Sequence, residues 1–581
     1  MTAVGRVERV AWWTVGLAAL AVRVGYVLAQ PASDPAFARP ALDEAVYVNW
    51  ARGLAAGGGQ PPGAFYLAPL YPHLLVPWVL AGGSFAVLYL AQQAVAVATA
   101  AALAWTARSV AGPLAGGLAG LLALGYHPAL FFASRPVGET VAVALLAFAV
   151  AAGTRVAGPG ALAGALVGAS ALARPNLGPA ILPLSLARPR RAMLVAGAAM
   201  AVVLPVAVRN WTVSGHLVPI SGNGGMTLFH GNGPGALGIY TPAEGFSGRL
   251  DRQRDEATRL ASGAVGRPLD AVEADAWWGG RAIATRLHDI GGTVRLLVRR
   301  LGLLVSTREI GLDAAPSLDE NPWRQLAPVP FAALLALGAA AAAGLGFARS
   351  GGWVVWGPIA TAAATPVIFY VSSRYRLPLA LLLAIPAGVG AAALLGCVQG
   401  FRQRRAIACA LLAGGLALLT PTGALARSCD AAALGNRAAA WLQQGNLEQA
   451  SADVRRALLL DADAVAAWFN AGVVAEREGR AADAERAYRR ALALHPALAD
   501  ASGNLGGLLI RSGRPGEAAA ILERGVEADP THRVCWTNLV VARIVEGRFA
   551  EAREAVARAR RAGVTLDPRL EAVAAGAGGV S

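Results

Sequence analysis

The run Ala11-Trp-Trp-Thr-Val-Gly-Leu-Ala-Ala-Leu-Ala-Val-Arg-Val-Gly-Tyr-Val-Leu-Ala29 decides the fold. A bilayer is crossed by a helix of about 20 predominantly apolar residues, and this run has that length. Arg6 and Arg9 precede it, which holds the N-terminus in the cytoplasm and places the following loop, Gln30 to about Pro62, outside. No convincing small-residue cleavage site follows the run. It reads as a retained span that also serves as the targeting signal.

The rest of the first 427 residues repeats this pattern. The chain has 581 residues, of which 55% are apolar and 15% charged, with a mean hydropathy of +0.48, too apolar for a soluble domain. Further apolar runs lie near 84–107, 113–127, 137–155, 160–173, 177–187, 192–207, 328–347, 353–371, 378–398 and 406–426. With the first run this gives about eleven spans, hence an all-α polytopic helical bundle in a membrane. Residues 64–82 are apolar but broken by Pro69, Pro72 and Pro77, which suits a re-entrant or interfacial element. The net charge is +15 and every basic residue is arginine. The arginines collect on short links: Arg108; Arg188, Arg190 and Arg191; Arg349; Arg402, Arg404 and Arg405. The positive-inside rule accounts for them, so no nucleic-acid partner is expected. Cys397, Cys409, Cys429 and Cys535 show neither metal spacing nor a disulfide framework.

After Arg427 the composition changes and a repeat appears. Gly445, Gly479, Gly513 and Gly547 are 34 apart, as are Ala450, Ala484, Ala518 and Ala552. Asn470, Asn504 and Asn538 keep the period, and so do Pro496 and Pro530. The glycine ends one helix of each pair, and the alanine lets its partner pack closely. A 34-residue period of this kind resembles the tetratricopeptide family over about 434–563, with about four repeats in a domain at 428–581. Stacked helix pairs present a groove for a protein or peptide. An odd number of spans puts this domain on the external, periplasmic side.

The chemistry-bearing stretch is Ala41-Leu-Asp-Glu-Ala-Val-Tyr-Val-Asn-Trp50, in the first external loop. Two adjacent carboxylates, Asp43 and Glu44, at the mouth of a membrane domain are costly to keep without a role. Asp43 also suits a helix cap, since a short amphipathic pattern follows it. Pro69-Leu-Tyr-Pro72 with Tyr71 and His73, Glu139 at the opening of a span, Arg174, Arg209-Asn210 and Arg374-Tyr-Arg-Leu-Pro378 lie on later links. A Gly/Asn-rich turn, Ser221 to Asn232, opens a long external segment running to about Leu326. His73, His127, His216 and His230 match no ligand motif, so no metal site is assigned.

In their order these features resemble the GT-C integral membrane glycosyltransferases, in particular the bacterial protein-mannosyltransferase-like and aminoarabinose-transferase-like branch, over residues 1–427. The resemblance implies transfer of a sugar from a polyprenyl-phosphate carrier to a protein, lipid or glycan acceptor outside the cytoplasm. It implies Asp43 as general base, with Glu44 orienting the acceptor or sharing that role. Arg374, Arg376 and Arg209 are the candidate donor-phosphate ligands, guanidinium being suited to bidentate phosphate binding, and Arg174 is a further one if the short pair of spans around it opens outward. Glu139, Tyr71 and His73 are further candidates. No organic cofactor is expected, and use of a divalent metal stays open because related transferases differ. Two other readings compete: a transporter or flippase of lipid-linked glycans, which would place charges at mid-membrane, and a membrane-anchored scaffold served by the repeats.

Overall fold

Every regular element in the described residues is helical, as the apolar and 34-residue patterns require. The computed structural model describes residues 3–154, 160–187, 189–243, 245–246, 250–344, 352–395 and 401–576. Arg188, Arg349 and Cys397 lie outside the described residues. The chain divides into two compact units, Met1–Ala426 and Arg427–Ser581.

The first unit begins with α1 (Ala3–Ser33), α2 (Leu42–Ala55), α3 (Leu70–Leu80), α4 (Phe85–Ala111) and α5 (Pro113–Leu124). It continues with α6 (His127–Phe132), α7 (Glu139–Thr154), α8 (Gly160–Ala173), α9 (Ile181–Leu186) and α10 (Ala192–Ser214). The polar segment holds α11 (Gly224–Asn232), α12 (Leu250–Val265), α13 (Ala271–His288) and α14 (Ile290–Val305). Apolar helices resume with α15 (Phe331–Gly344), α16 (Gly352–Ile368), α17 (Ser373–Leu395) and α18 (Phe401–Leu419).

Among the described residues, four helical stretches are long and apolar enough to cross a membrane: Thr14–Ser33, Phe85–Ala111, Pro189–Ser214 and Ser373–Leu395. A fifth results if Arg404–Leu419 and Gly423–Gln443 count as one broken span. Leu70–Leu80, Pro113–Leu124, Glu139–Thr154, Gly160–Ala173, Phe331–Ala343 and Gly352–Ile368 are apolar but shorter. The expected count of about eleven is therefore not reached on helix length. Several of the expected runs are themselves shorter than a full span, and their helices end at glycine or proline, as α5 does at Gly125 and α8 just before Pro175.

α17 is the centre of this unit. It is apolar on all sides and is buried almost continuously from Ser373 to Gly390, as expected for a helix enclosed by others. It packs against α4, α5, α15 and α16. Small residues make the approach close. A Cβ at Gly388 would stand 2.5 Å from the Ala115 carbonyl oxygen, and one at Gly390 2.0 Å from that of Leu337. The pair α8 and α10 uses the same device: a Cβ at Gly164 would meet the Val195 carbonyl oxygen at 2.0 Å, and one at Gly168 that of Ala199 at 2.7 Å. Between helices in lipid, such backbone proximity is a main source of attraction.

Polar cross-links set the loops. Tyr26 donates to Asp319 (2.6 Å), and Asn321 donates to the Tyr26 carbonyl (2.8 Å). His127 meets the same Asp319 at 2.7 Å. These tie the segment after α14 to α1 and α6. Arg23, inside α1, donates to Gln93 of α4.

In the second unit, helices alternate in antiparallel pairs. They are α19 (Gly423–Gln443), which starts before the division, α20 (Leu447–Leu460), α21 (Val465–Arg477), α22 (Ala481–Leu494), α23 (Ala499–Arg511), α24 (Pro515–Ala528), α25 (Arg533–Val545), α26 (Phe549–Arg561) and α27 (Pro568–Ala574). Gly445, Gly479, Gly513 and Gly547 all take positive φ, between 73° and 79°, at the turn within each pair. Only a residue without Cβ adopts this freely. Ala450, Ala484, Ala518 and Ala552 are fully buried. Asn470 and Asn538 each donate to a carbonyl one repeat earlier, Gly435 and Gly503, at 2.9 Å.

Candidate active site

Asp43 stands in the first turn of α2 but does not cap it. The N-cap is Ala41, with no side-chain cap bond, and Leu42 carries a φ of 51°. A leucine in the left-handed region is strained by about 1–2 kcal/mol, and here it turns the chain sharply at the entry of α2.

Arg374, in the first turn of α17, donates from Nη1 to Asp43 Oδ2 (2.7 Å) and from Nε to Glu139 Oε1 (2.7 Å). Its Nη1 also lies 3.4 Å from Asp313 Oδ2. Glu139, the first residue of α7, forms a second ion pair with Arg174, which follows α8. Five charged side chains from five separate segments thus converge. Burial, then the neighbouring Asp43 charge, raise the Asp313 carboxyl well above the usual carboxylate range. With a proton on Asp313, two carboxylates face two guanidiniums and the cluster is balanced.

Two cavities meet here. A polar cleft of about 90 Å³ holds Asp43, Asp313, Arg174 and Arg374. Its remaining wall carries uncharged groups, among them His230, Tyr240, Gln253 and Asn223. His230 is pushed down to about 4 by burial, so its ring is neutral at pH 7. It lies 3.2 Å from the Thr241 carbonyl through Nδ1 and 2.9 Å from the Gln253 amide through Nε2. The partners assign the proton to Nδ1. The second cavity is an apolar groove of about 720 Å³, with Leu182, Leu186, Trp353 and Ile368 among its lining residues. The cleft and the groove share Tyr47, Leu67, Arg174, Asn223, Thr227 and Tyr375. A charged pocket therefore opens directly into an apolar channel.

The structure brings together Asp43, Glu139, Arg174 and Arg374 and places the other sequence candidates elsewhere. Glu44 turns away from the cleft, 3.3 Å from Arg135, which also holds Asp34 at 2.6 Å. Burial raises its carboxyl to about 7. Arg376, expected at the donor phosphate, is enclosed. It pairs with Glu309 (2.7 Å), donates to the Ser306 and Arg308 carbonyls, and stacks over Phe331. Arg209, expected in the same role, donates to the Pro61 and Gly63 carbonyls and covers the Phe65 ring. Both arginines fasten loops. Tyr71 donates to Gln92 (2.7 Å) and meets the Tyr47 ring edge-on, behind the cleft. His73 lies between the Pro69 carbonyl and the Gln60 amide, outside both cavities. Among the described residues, no group of three His, Cys, Asp or Glu is arranged to hold a metal ion.

Sequence reading missed Asp313, Tyr240, Gln253 and Tyr375. Asp313 carried one signal: it is a lone carboxylate in the apolar stretch Ile310-Gly-Leu-Asp313.

Comparison with known proteins informs the second unit. The tetratricopeptide-repeat family matches residues 436–499, 475–537 and 510–575. YrrB, a tetratricopeptide protein with an unusual peptide-binding site, is 25% identical over 26% of this chain and 77% of its own, with a TM-score of 0.23. PilF of Pseudomonas aeruginosa is 18% identical over 28% of this chain and 70% of its own, with a TM-score of 0.23. MamA is 19% identical over 28% of this chain and 91% of its own, with a TM-score of 0.22. A comparison with curated proteins returns no match. The C-terminal region of the chain, from about residue 436 to 575, is a run of tetratricopeptide repeats.

Proposed function

We propose that the first unit is a multi-pass inner-membrane glycosyltransferase that takes a sugar from a polyprenyl-phosphate donor and passes it to an acceptor on the non-cytoplasmic side. The observation that carries this reading is the junction of the charged cleft with the apolar groove. A lipid-linked sugar needs both, in contact, and a nucleotide sugar needs only the first. The GT-C resemblance of residues 1–427 supports it further.

In this reading the prenyl chain occupies the groove past Trp353 and Leu186, and the phosphate comes to Arg174 at the shared rim. Asp43 takes the proton of the acceptor hydroxyl as its oxygen attacks the anomeric carbon. The bond from that carbon to the phosphate oxygen breaks on the opposite face, with inversion. The leaving lipid phosphate gains charge, and Arg174 and Arg374 stabilise it there. Glu139 holds both guanidiniums in position. The neutral wall of Tyr240, Asn223 and Gln253 offers hydrogen bonds to sugar hydroxyls, and His230 holds the Gln253 amide in place. The repeats bind a protein or peptide, an acceptor or a partner enzyme, on the external side.

The test is sugar transfer or slow donor hydrolysis by the purified full chain in matched membranes, wild type against Asp43→Asn. Transfer by wild type, with loss of about 10²-fold or more in the variant and retained donor binding, is the expected outcome. Binding without cleavage by either protein, across several sugars and with added divalent metal, overturns it. The repeats favour a second reading in that case, a membrane-anchored protein-interaction scaffold.

A further inference from the structure

Helix α14 has three faces. Leu296, Arg300, Leu303 and Leu304 are buried against the unit. Arg295 and Arg299 are exposed to one side. The third face is an open apolar strip: Ile290, Val294, Leu297, Val298 and Leu301 are 59%, 54%, 38%, 65% and 50% exposed. Ile283 and Leu287, on the last turns of α13, are also exposed. A continuous apolar strip of this kind marks a docking surface.

Two buried arginines fix where the strip lies. Arg300 donates to the Val367 (2.8 Å) and Ile368 (3.1 Å) carbonyls at the C-terminal end of α16. Arg376, in the first turn of α17, donates to the Ser306 carbonyl (2.8 Å) at the end of α14. α17 is one of the four long apolar stretches. α14 is thus held across the C-terminal end of α16 and the N-terminal end of α17. A shallow groove of about 290 Å³ continues the strip, lined by Ile283, Leu287, Leu297 and Ile368, with Arg286 and Arg300 at its polar side.

We infer that α14 and the end of α13 lie in the headgroup layer of the external leaflet and that this surface binds anionic phospholipid. The strip enters the acyl boundary, and Arg295 and Arg299 meet the lipid phosphates. An amphipathic helix with arginines beside its apolar face has the chemistry for such a surface. The flanking positive charge favours lipid over a second copy of this strongly basic chain. The inference needs that the long apolar helices cross a bilayer and, for the leaflet assigned, that the N-terminus is cytoplasmic. It does not rest on the transfer chemistry.

The test uses the full chain in nanodiscs, with the four native cysteines replaced by serine. A polarity-sensitive fluorophore is attached in turn at Val294→Cys, Val298→Cys, Leu204→Cys and Arg259→Cys. Leu204 is exposed on α10 and reports insertion; Arg259 is exposed on α12 and reports water. In phosphatidylcholine discs containing about one-third phosphatidylglycerol, the Val294 and Val298 probes are expected to be quenched at least about twofold more than the Arg259 probe by lipid spin-labelled near its headgroup. Omitting phosphatidylglycerol, or combining Arg295→Gln with Arg299→Gln, is expected to reduce that quenching. Val294 and Val298 probes that behave like Arg259 while Leu204 is quenched overturn the inference. So does quenching indifferent to phosphatidylglycerol, or burial of the strip in lipid-free detergent that grows with protein concentration, which identifies a second copy as the occupant. Hydrogen exchange of residues 290–305 in the unsubstituted chain, compared between the two disc compositions, checks the result without cysteine replacement: slower exchange with phosphatidylglycerol is expected, and equal exchange overturns the lipid assignment.

Discussion

Arg374 and Asp43 are 331 residues apart in sequence and joined by a 2.7 Å hydrogen bond. The same guanidinium holds Glu139, and Asp313 lies beside it. Removing it leaves three carboxyl groups in one enclosed cluster with Arg174 alone to balance them. Arg374→Gln is expected to cost roughly 3–5 kcal/mol of stability and at least about 10²-fold in transfer. Arg374→Lys should recover part of the stability and little of the activity, since one ammonium cannot span Asp43 and Glu139 as a planar fork does. Thermal unfolding in detergent and the donor-cleavage assay check both. A glutamine variant that melts with wild type would mean that Arg374 does not hold the carboxylate cluster together.

Glu44 gives a pH signature separate from catalysis. Its carboxyl stands at about 7 in the fold against a usual value of 4.5, because burial outweighs the pull of Arg135. A raised acid favours the fold most when protonated, so its contribution is complete below about pH 4.5 and is lost as pH rises through 7. Glu44→Gln stays neutral throughout and leaves Arg135 paired with Asp34. The unfolding free energies of wild type and variant should run parallel below about pH 4.5, diverge between there and about pH 7, and stay apart to pH 8, with the variant more stable by an amount on the order of 3 kcal/mol. Curves that stay parallel to pH 8 would contradict the burial of this carboxyl.

What the sequence made legible follows from what each signal depends on. The tetratricopeptide repeats were readable because a local turn imposes glycine every 34 residues, and each such glycine does take positive φ. The apolar runs were readable as helices for the same local reason. The convergence at Arg374 was not, since it joins the ends of separate helices and a loop residue, Asp313, that are far apart in sequence. Arg376 and Arg209 look like phosphate ligands in a string of letters, and only the path of the chain shows them bound to backbone carbonyls. Glu44 sits beside Asp43 in sequence, but on a helix neighbours point about 100° apart, so only one of the two faces the cleft.

Leu42 tests whether the strained entry to α2 matters. Its φ of 51° is the one positive value at a non-glycine residue among the described residues. Leu42→Gly should relieve about 1–2 kcal/mol of strain, offset in part by the entropy glycine loses. Leu42→Val, β-branched and less tolerant of this region, should melt lower than wild type. The order glycine, leucine, valine in melting temperature is the expected result. A valine variant as stable as the glycine variant would mean that the backbone relaxes there at no cost.

The repeats allow a contrast between two glycines seven residues apart. Gly479 needs its positive φ of 75°, with open space around its Cα. Gly479→Ala should therefore cost about 1 kcal/mol through backbone strain, and Gly479→Asn less, since asparagine tolerates this region. Gly472 has ordinary helical backbone, but a Cβ there would stand 2.4 Å from the Tyr488 ring. Tyr488 is fully buried and donates to Glu476 at 2.8 Å, so it cannot swing aside without losing that bond. Gly472→Ala should cost about 1–3 kcal/mol by overpacking, and Gly472→Asn more. Asparagine is thus the milder replacement than alanine at Gly479 and the harsher one at Gly472. Hydrogen exchange of α21 and α22 in the full chain reads both. An asparagine tolerated equally at the two sites would mean that α21 and α22 pack less closely than their helix-to-helix contact at Tyr488 requires.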